Sequence, residues 1–411
     1  MGVSAVEPDH DEVVGVGIAA ALRRRAPRWL GMGITVLVAV LALSGCAGTN
    51  QTPSPRPLPS GSPVTDTAVT AAVSAAMQPL AWQLSSAPPI TVGLIQRGKA
   101  VAVITRDINP FIQAIKGGIS AAAGKAGMTT LQSNPAGSAA DVARQFTQVI
   151  AQRASAVITV GFTTAEIAAS LQQAHSAGIP VVQLFVTDPG APPADAVKSG
   201  VFAYVSPCYS CIGAAMADVV IHDSDGKANT VFINAPDVGV ATLEAQGFNA
   251  EMRQHCPSCT TRISDAPIAQ WGTQIPGIVT AAAADPKVNY VVPVFDTASP
   301  LVVPALTAAN AAGRIKLVSS NGDQAQLQDM KMVSTPRWVG NIGVNGAWIG
   351  WASMDQVFRA LTNHPPLADE KIGFRAFTPD NIGSVDLSAD PSTWYGDTDF
   401  ASQYQKLWGL S

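Results

Sequence analysis

The stretch that decides the fold is residues 156–184, which read AVITVGFTTAEIAASLQQAHSAGIPVVQL. Ala156–Val160 and Val181–Leu184 are short apolar runs with the length and composition of buried strands. The segment between them has helical spacing, opens near Thr163, whose side chain suits a helix cap, and closes at Gly178, a residue that readily adopts the left-handed conformation at a helix end. A strand, a helix and a second strand in this order predict parallel pairing through a right-handed crossover.

The same unit recurs on both sides of this stretch. Ala100–Thr105 is an apolar run followed by helical spacing, Ser138 with Asp141 three positions later begins another helix, and Ile315–Val318 follows a further helix that ends in Ala-Gly. A chain of 411 residues exceeds the usual size of one compact domain, so two lobes are expected. The sequence therefore predicts the α/β class, with doubly wound parallel sheets covered by helices on both faces.

Composition excludes several classes of protein. Apolar residues make up 47% of the chain and charged residues 13%, which excludes disorder throughout. The net charge of -4, without a basic run beyond the N-terminus, argues against a nucleic-acid partner. The sequence contains no Gly-x-Ser-x-Gly elbow, no phosphate-binding loop and no His-Glu-x-x-His motif, so no enzyme, catalytic residue, cofactor or metal is expected.

The N-terminus has the order of an export signal. The basic cluster Arg23–Arg25 precedes the apolar run Trp29–Leu43, and Leu43-Ser44-Gly45-Cys46 follows at once. This string resembles the lipobox of bacterial lipoproteins, which implies a signal peptide at 1–45 and a lipid on Cys46. A transmembrane helix is the alternative, but about 15 residues is short for a span that needs roughly 20. The arginine pair also leaves export by the twin-arginine route open.

Two segments separate this signal from the alternating units. Residues 46–65 are rich in proline and serine, which favours an extended tether without a core. Residues 66–90 contain apolar side chains at helical spacing from Asp66 to Leu84, which predicts an amphipathic helix against the folded body.

Three strings carry a resemblance to a known family. They are Ile108-Asn109-Pro110-Phe111, Ala177-Gly178-Ile179-Pro180-Val181-Val182 and Gln246-Gly247-Phe248. Their order between Ala100 and His364 is similar to that of type 1 periplasmic binding proteins, in particular the sugar receptors of ABC importers. The resemblance implies two Rossmann-like lobes with parallel sheets, joined by a three-strand hinge, with the ligand held between them. It assigns 91–205 plus 342–365 to lobe one, 206–341 to lobe two and 366–411 to a tail that crosses the hinge.

The resemblance and the geometry of parallel sheets select the same loops for the ligand. In open parallel sheets, ligands bind outside the carboxyl ends of the strands. Relatives place an Asp-Arg pair after the strand that here continues into Phe185, and often an arginine near Glu244, so the predicted cleft is more apolar than a simple sugar needs. An unpaired carboxylate there would be costly, so Glu244 should meet hydroxyl donors, a cation or water. The predicted ligand-binding residues are Asn109, Phe111, Phe185, Glu244, Trp271, Phe295, Asp296, Asn321 and Asn341.

Four cysteines remain after Cys46, as the pairs Cys208 and Cys211, and Cys256 and Cys259. Because an exported protein meets oxidising conditions, disulfides are favoured, and two local bridges are easier to form than cross-links. Zinc binding, other pairings and a redox-active first pair remain open.

These observations predict an extracytoplasmic substrate-binding lipoprotein of an ABC importer. The expected ligand is a small sugar-like, polyol or partly apolar solute, and the expected partners are the permease subunits and, through the lipid anchor, the membrane. We expect a monomer at the outer face of the cytoplasmic membrane. A ligand-sensing receptor that signals to a membrane kinase is the alternative, because both functions use the same two-lobed clamp.

Overall fold

The computed structural model describes residues 67–84, 86–93, 98–133 and 135–410. The predicted signal peptide at 1–45, Cys46 and the tether at 46–65 lie outside the described residues. No described helix is both long enough and apolar enough to cross a membrane.

The first sheet has five parallel strands. They are β1 (Ala100–Thr105), β2 (Thr129–Gln132), β3 (Ala156–Val160), β4 (Val181–Leu184) and β5 (Val201–Val205). Their order is β2-β1-β3-β4-β5. The helices that connect them are α2 (Pro110–Lys125), α3 (Ala139–Ala151), α4 (Ala168–Ser176) and α5 (Ala194–Lys198). The predicted bounds of β1, β3 and β4 are confirmed, as is the helix cap at Ser138, whose Oγ accepts a hydrogen bond from the Asp141 N–H at 3.2 Å.

The second sheet has six strands. They are β6 (Asn229–Asn234), β7 (Thr260–Asp265), β8 (Tyr290–Pro293), β9 (Lys316–Asn321), β10 (Trp338–Val344) and β11 (Phe374–Phe377). Their order is β11-β10-β9-β8-β6-β7, and β11 is antiparallel to β10 while the other pairs are parallel. The remaining helices after β5 are α6 (Tyr209–Asp223), α7 (Gly239–His255), α8 (Trp271–Ala284), α9 (Ser299–Ala308), α10 (Gln324–Lys331), α11 (Gly346–Leu361) and α12 (Phe400–Leu407). The predicted α/β fold of two mostly parallel sheets covered by helices is confirmed.

The chain leaves the second sheet after Val344. Strand β10 pairs with β9 and β11 along its length, so Ile342–Val344 belongs to the second sheet, whereas the resemblance assigns these residues to lobe one. Helix α11 then packs against α2 and the first sheet. The two helices can approach closely because Gly118 has no side chain. A Cβ at that position would lie 2.3 Å from the Ala347 carbonyl oxygen.

The N-terminal segment also runs from elements of the second lobe to elements of the first. Helix α1 (Thr67–Ala76) packs on α6 and β11 through the buried Val69 and Val73. It is shorter than predicted and ends before Pro79, because a residue that precedes proline disfavours helical backbone. The chain then runs to Ile90, whose N–H donates to the Leu407 carbonyl at 2.8 Å, and so reaches α12.

A cluster of aromatic side chains docks the C-terminal helix on α11. Trp408 is fully buried, stacks on Trp351 with ring centroids 5.4 Å apart, and donates from its indole nitrogen to an Asp355 carboxylate oxygen at 2.7 Å. Asp355 also accepts from Arg359 at 2.5 Å, and both residues are fully buried. The tail is therefore held by packing and by a paired buried charge.

Candidate functional site

Loops at the carboxyl ends of the strands of both sheets enclose a cavity of about 60 Å³, which we call the cleft. The first lobe contributes Arg106, Asp107, Asn109, Phe111, Ile112, Val160, Gly161 and Phe185. The second lobe contributes Tyr209, Val238, Val240, Ile268, Trp271, Phe295, Thr297 and Asn321. Six of the nine predicted ligand-binding residues therefore line it, namely Asn109, Phe111, Phe185, Trp271, Phe295 and Asn321.

Three aromatic rings form one wall of the cleft. Phe185, directly after β4, stacks on Phe111 at the start of α2, with ring centroids 6.0 Å apart and an interplanar angle of 17°. Its edge meets the ring of Tyr209, 5.7 Å away, at the start of α6. The backbone of Phe185 has φ of 66°, in the left-handed region that bulky residues avoid. Such strain is typical of positions whose side-chain direction is required.

Asn109 both caps a helix and faces the cleft. Its Oδ1 accepts from the Ile112 N–H at 2.9 Å, which fixes the start of α2, and its Nδ2 donates to Asp107 at 3.2 Å. Burial raises the pKa of Asp107, while the hydrogen bond from Asn109 and the charge of Arg106 oppose that shift. The Asp107 carboxyl is therefore a strong hydrogen-bond acceptor for a solute hydroxyl.

Among the described residues, Arg106 is the cationic side chain that lines the cleft, and it is neutralised within its own lobe. Arg106 forms an ion pair with Glu166, donates from Nε to the Gly161 carbonyl at 2.7 Å and lies 4.8 Å from the centroid of the Phe162 ring. Its guanidinium is thus fixed in place rather than free to seek an anion.

The second lobe contributes Trp271 and Asn321. Trp271 is the first residue of α8, not a loop residue as predicted, and its indole nitrogen donates to the Ala266 carbonyl at 2.8 Å, so only 8% of the residue is exposed. Asn321 ends β9 with φ of 109°, and its carbonyl accepts a long 3.5 Å hydrogen bond from Tyr395 of the tail. The indole of Trp271 is therefore held in place before any solute arrives.

Three predicted ligand-binding residues, Glu244, Asp296 and Asn341, do not line the cleft. All are 0–1% exposed and form a polar network within the second lobe. Asn341 donates from Nδ2 to Asp296 at 2.7 Å, and Asp296 also accepts from the Asp323 N–H at 2.7 Å and from the Ser319 hydroxyl. Asp296 and Asn341 therefore bond each other within the second lobe, and their role in ligand binding stays a prediction.

Glu244 meets a hydroxyl donor, as the cost of burying a carboxylate requires, but the donor is a protein side chain. The Ser320 hydroxyl lies 3.1 Å from its carboxylate. Burial raises the pKa of Glu244 well above its ordinary value. The hydrogen bond from Ser320 opposes this shift, and the nearby charges of Asp296 and Asp188 add to it. Burial and the charge of Asp323 raise the pKa of Asp296 to about 8.

Sequence reasoning missed ten lining residues. Arg106 and Asp107 directly follow β1 and Thr297 follows β8, so the rule that ligands bind beyond the carboxyl ends of strands could have identified them. Tyr209 begins α6, shortly after β5 ends at Val205, so the same rule could have identified it. Its pKa is raised well above the ordinary value by burial and by the charges of Glu244 and Asp188.

Two local disulfides flank α6 and α7. Cys208 is bonded to Cys211 and Cys256 to Cys259, with Cα atoms 5.2 and 5.3 Å apart, which is the pairing favoured from the sequence. The first encloses Tyr209 of the cleft. Among the described residues, no group of three or more His, Cys, Asp or Glu side chains is placed to hold a metal ion.

The cleft is suited to gripping a ring or an apolar face. Its walls are mostly aromatic and aliphatic, with hydrogen-bonding groups at Asp107, Asn109, Thr297 and Asn321. Pockets for small molecules usually measure roughly 300–1,000 Å³. The lobes are therefore drawn together here, and a solute of that size enters only when they separate.

Comparisons with known proteins agree with this geometry. Residues 100–365 match the sequence model of the periplasmic binding protein domain family. A search of curated protein sequences finds no match.

Solved structures resemble the chain in fold. A solute-binding protein of an ABC transporter from Agrobacterium vitis, with bound allitol, has a TM-score of 0.61 and 18% identity, over 70% of this chain and 98% of that chain. A 5-methylthioribose transporter solute-binding protein from Thermotoga lettingae has a TM-score of 0.63 and 16% identity, over 78% and 95%. A sugar ABC transporter protein from Yersinia enterocolitica has a TM-score of 0.62 and 18% identity, over 79% and 98%.

Proposed function

Because the chain belongs to the periplasmic binding protein domain family, we propose that it is the solute receptor of an ABC importer, anchored at the outer face of the cytoplasmic membrane by a lipid on Cys46. The fold is that of the type 1 members. The observation that carries the proposal is the cleft, which takes aromatic and hydrogen-bonding side chains from both lobes.

The cleft supports a clamp that closes on its solute. Phe111 and Phe185 come from one lobe and Trp271 from the other, so all three can contact a solute only when the lobes approach. Closure removes apolar surface from water and aligns the hydrogen-bonding groups around the solute. A permease that recognises the closed form would then receive loaded receptor only.

The chemistry of the walls favours a partly apolar sugar or polyol. The Agrobacterium vitis and Thermotoga lettingae proteins were solved with a polyol, allitol, and with a sugar that carries an apolar group, 5-methylthioribose. In this chain, Phe185 and Val186 stand where relatives place an Asp-Arg pair that grips hydroxyls. We therefore expect fewer charged contacts with hydroxyls and more stacking than in a receptor for a simple sugar.

Export and anchoring rest on the sequence before residue 67. The basic and apolar segments and Cys46 have the order of a lipoprotein signal. The disulfides Cys208–Cys211 and Cys256–Cys259 are consistent with an oxidising compartment.

A thermal-shift screen over sugars, polyols and small cyclic metabolites tests the receptor function, because a solute that binds only the folded state raises the melting temperature. For a solute found in this way, Trp271→Ala should raise the Kd about ten-fold or more, since an aromatic contact contributes roughly 1–3 kcal/mol and 1.4 kcal/mol is a factor of ten. Trp408→Ala is the control, because Trp408 packs on α11 away from the cleft and should leave the Kd within about two-fold. Unchanged affinity in the folded Trp271 variant would contradict the placement of the site, and a screen without any stabilising sugar or polyol would contradict the function.

A further inference from the structure

A second cavity of about 560 Å³ lies beside the cleft, and we call it the side pocket. Phe111 and Asn321 line both cavities, so the two share a boundary at the start of α2 and the end of β9. The cleft holds about 60 Å³, whereas the side pocket lies within the range of roughly 300–1,000 Å³ that is usual for small-molecule sites. Most of the ligand-sized space next to the proposed site is therefore in the side pocket.

Small side chains on one helix and aromatic side chains on the tail form its walls. One face of α2 presents Ala114, Gly117, Gly118 and Ala121. Opposite them, the C-terminal part of the chain and α11 present Trp351, Trp394, Tyr395 and Phe400, each less than 9% exposed. The result is a slot with a flat, narrow side and an aromatic side.

The aromatic wall is rigid. Phe400 stacks on Trp348 with centroids 5.9 Å apart and an interplanar angle of 1°, and its ring meets that of Trp351 at 72°. Tyr395 meets Phe377 of β11 edge to face, with centroids 5.5 Å apart. Since these rings are already held by the protein, an apolar group that enters loses little free energy to ordering them.

The charges of the side pocket disfavour an anion. The lining contains the carboxyl groups of Asp323 and Asp390, and no Lys, Arg or His side chain from the described part of the chain joins them. Asp390 already accepts from the Ser392 N–H at 2.8 Å. An anionic group brought into this slot would meet two carboxyl groups without a cationic partner, so the walls select an uncharged group.

We propose that the transported solute has two parts: a hydroxylated part that binds in the cleft, and an uncharged aromatic or similarly flat apolar substituent that occupies the side pocket. The inference rests on the proposed receptor function and narrows its solute class. It gives the tail a role, since residues 390–401 complete the pocket that the substituent fills.

Matched glycosides test this inference. The probes are the methyl and phenyl glycosides of glucose, galactose and ribose, measured by thermal shift and then by calorimetry on the full exported protein. For at least one sugar, the phenyl glycoside should bind about ten-fold or more tightly than the methyl glycoside, because it buries an additional ring.

Gly117→Leu should remove that preference. A Cβ at Gly117 would have no other atom within 4 Å, so the leucine side chain can extend into the side pocket without displacing the backbone. The phenyl glycoside should lose about ten-fold in affinity, and the methyl glycoside should stay within about two-fold. Gly124→Leu is the matched control, because Gly124 lies on the same helix, is also free of atoms within 4 Å of an added Cβ, and does not line the pocket.

The outcomes separate this inference from the proposed function. If methyl and phenyl glycosides bind equally in the wild type, the receptor function stands and the two-part solute is wrong. If the phenyl preference survives Gly117→Leu in a protein with an unaltered melting curve, the substituent lies elsewhere and the inference is also wrong. If no glycoside, sugar or polyol binds, the proposed function fails, and the inference fails with it.

Discussion

Phe185 allows a direct test of whether the cleft stores backbone strain. Its φ of 66° is in the left-handed region, and its ring is fixed between Phe111 and Tyr209. Replacement by alanine removes the ring but leaves a side chain on the unfavourable backbone. Replacement by glycine removes both, because glycine adopts this conformation without a steric penalty.

The glycine variant should be more stable than the alanine variant, which is the reverse of the usual order. Loss of the buried ring lowers the free energy of unfolding by roughly 3–5 kcal/mol in both variants. At ordinary positions glycine is about 0.5–1 kcal/mol less stable than alanine, because it gains more entropy on unfolding. A left-handed backbone instead penalises alanine by roughly 1–2 kcal/mol. At position 185 the second effect is larger, so Phe185→Gly should be more stable than Phe185→Ala by about 0.5–1 kcal/mol.

Thermal unfolding followed by circular dichroism measures the order of the two variants. For a chain of this length, 1 kcal/mol corresponds to about 1–2 °C in melting temperature. Leu184 is the control, since it precedes Phe185 as a buried residue of the regular strand β4. Leu184→Gly should melt below Leu184→Ala. The reasoning is refuted if Phe185→Gly also melts below Phe185→Ala.

Three further predictions follow from other parts of the chain. Asp296→Asn should flatten the dependence of stability on pH. The folded-state pKa of Asp296, about 8, lies above the ordinary 3.8, so the folded wild type is most stable below about pH 4 and loses stability as the pH rises to 8. Melting curves at pH 5 and 8 would show this loss. An equal change in melting temperature between these two pH values in the wild type and in the variant would argue against this effect of burial on Asp296. Trp408→Ala should lower the free energy of unfolding, measured in urea, by roughly 3–5 kcal/mol, because it removes a fully buried indole that donates a hydrogen bond to Asp355. A loss below about 1 kcal/mol would mean that the tail is not docked as described. Cys46→Ala should release the folded protein from membranes in a fractionation experiment, and retention as a membrane-bound precursor would count against the lipoprotein assignment.

The alternating units were predictable because their signals are local. In 156–184, two apolar runs, a cap and a glycine stop occur within one crossover, and the structure places β3 and β4 at the predicted bounds. Asn109, Phe111 and Asn321 were also predictable as cleft residues, because Asn321 is the last residue of β9 and the other two follow shortly after the carboxyl end of β1.

The rest depends on contacts between segments that are distant in sequence. Glu244 follows no strand, and its partner Ser320 is 76 positions away, so its burial could not be deduced from its neighbours. Asp296 and Asn341 were predicted to bind ligand, and the hydrogen bond between them joins the turn after β8 to the interior of β10. The shortened α1 shows the same limit, because its apolar spacing continues to Leu84 while Pro79 prevents the helix from following it.

The hydrogen bonds between the segment before β1 and the last helix have a mechanical consequence. Ile90 and Val92 donate to the carbonyls of Leu407 and Trp408, so this segment and α12 are joined. Helix α12 packs on α11, which packs on α2 and the first sheet, so α12 belongs with the first lobe. Strand β11, earlier in the same tail, pairs with β10 of the second sheet. The chain between β11 and α12 therefore spans both lobes and has to follow any motion of one lobe relative to the other.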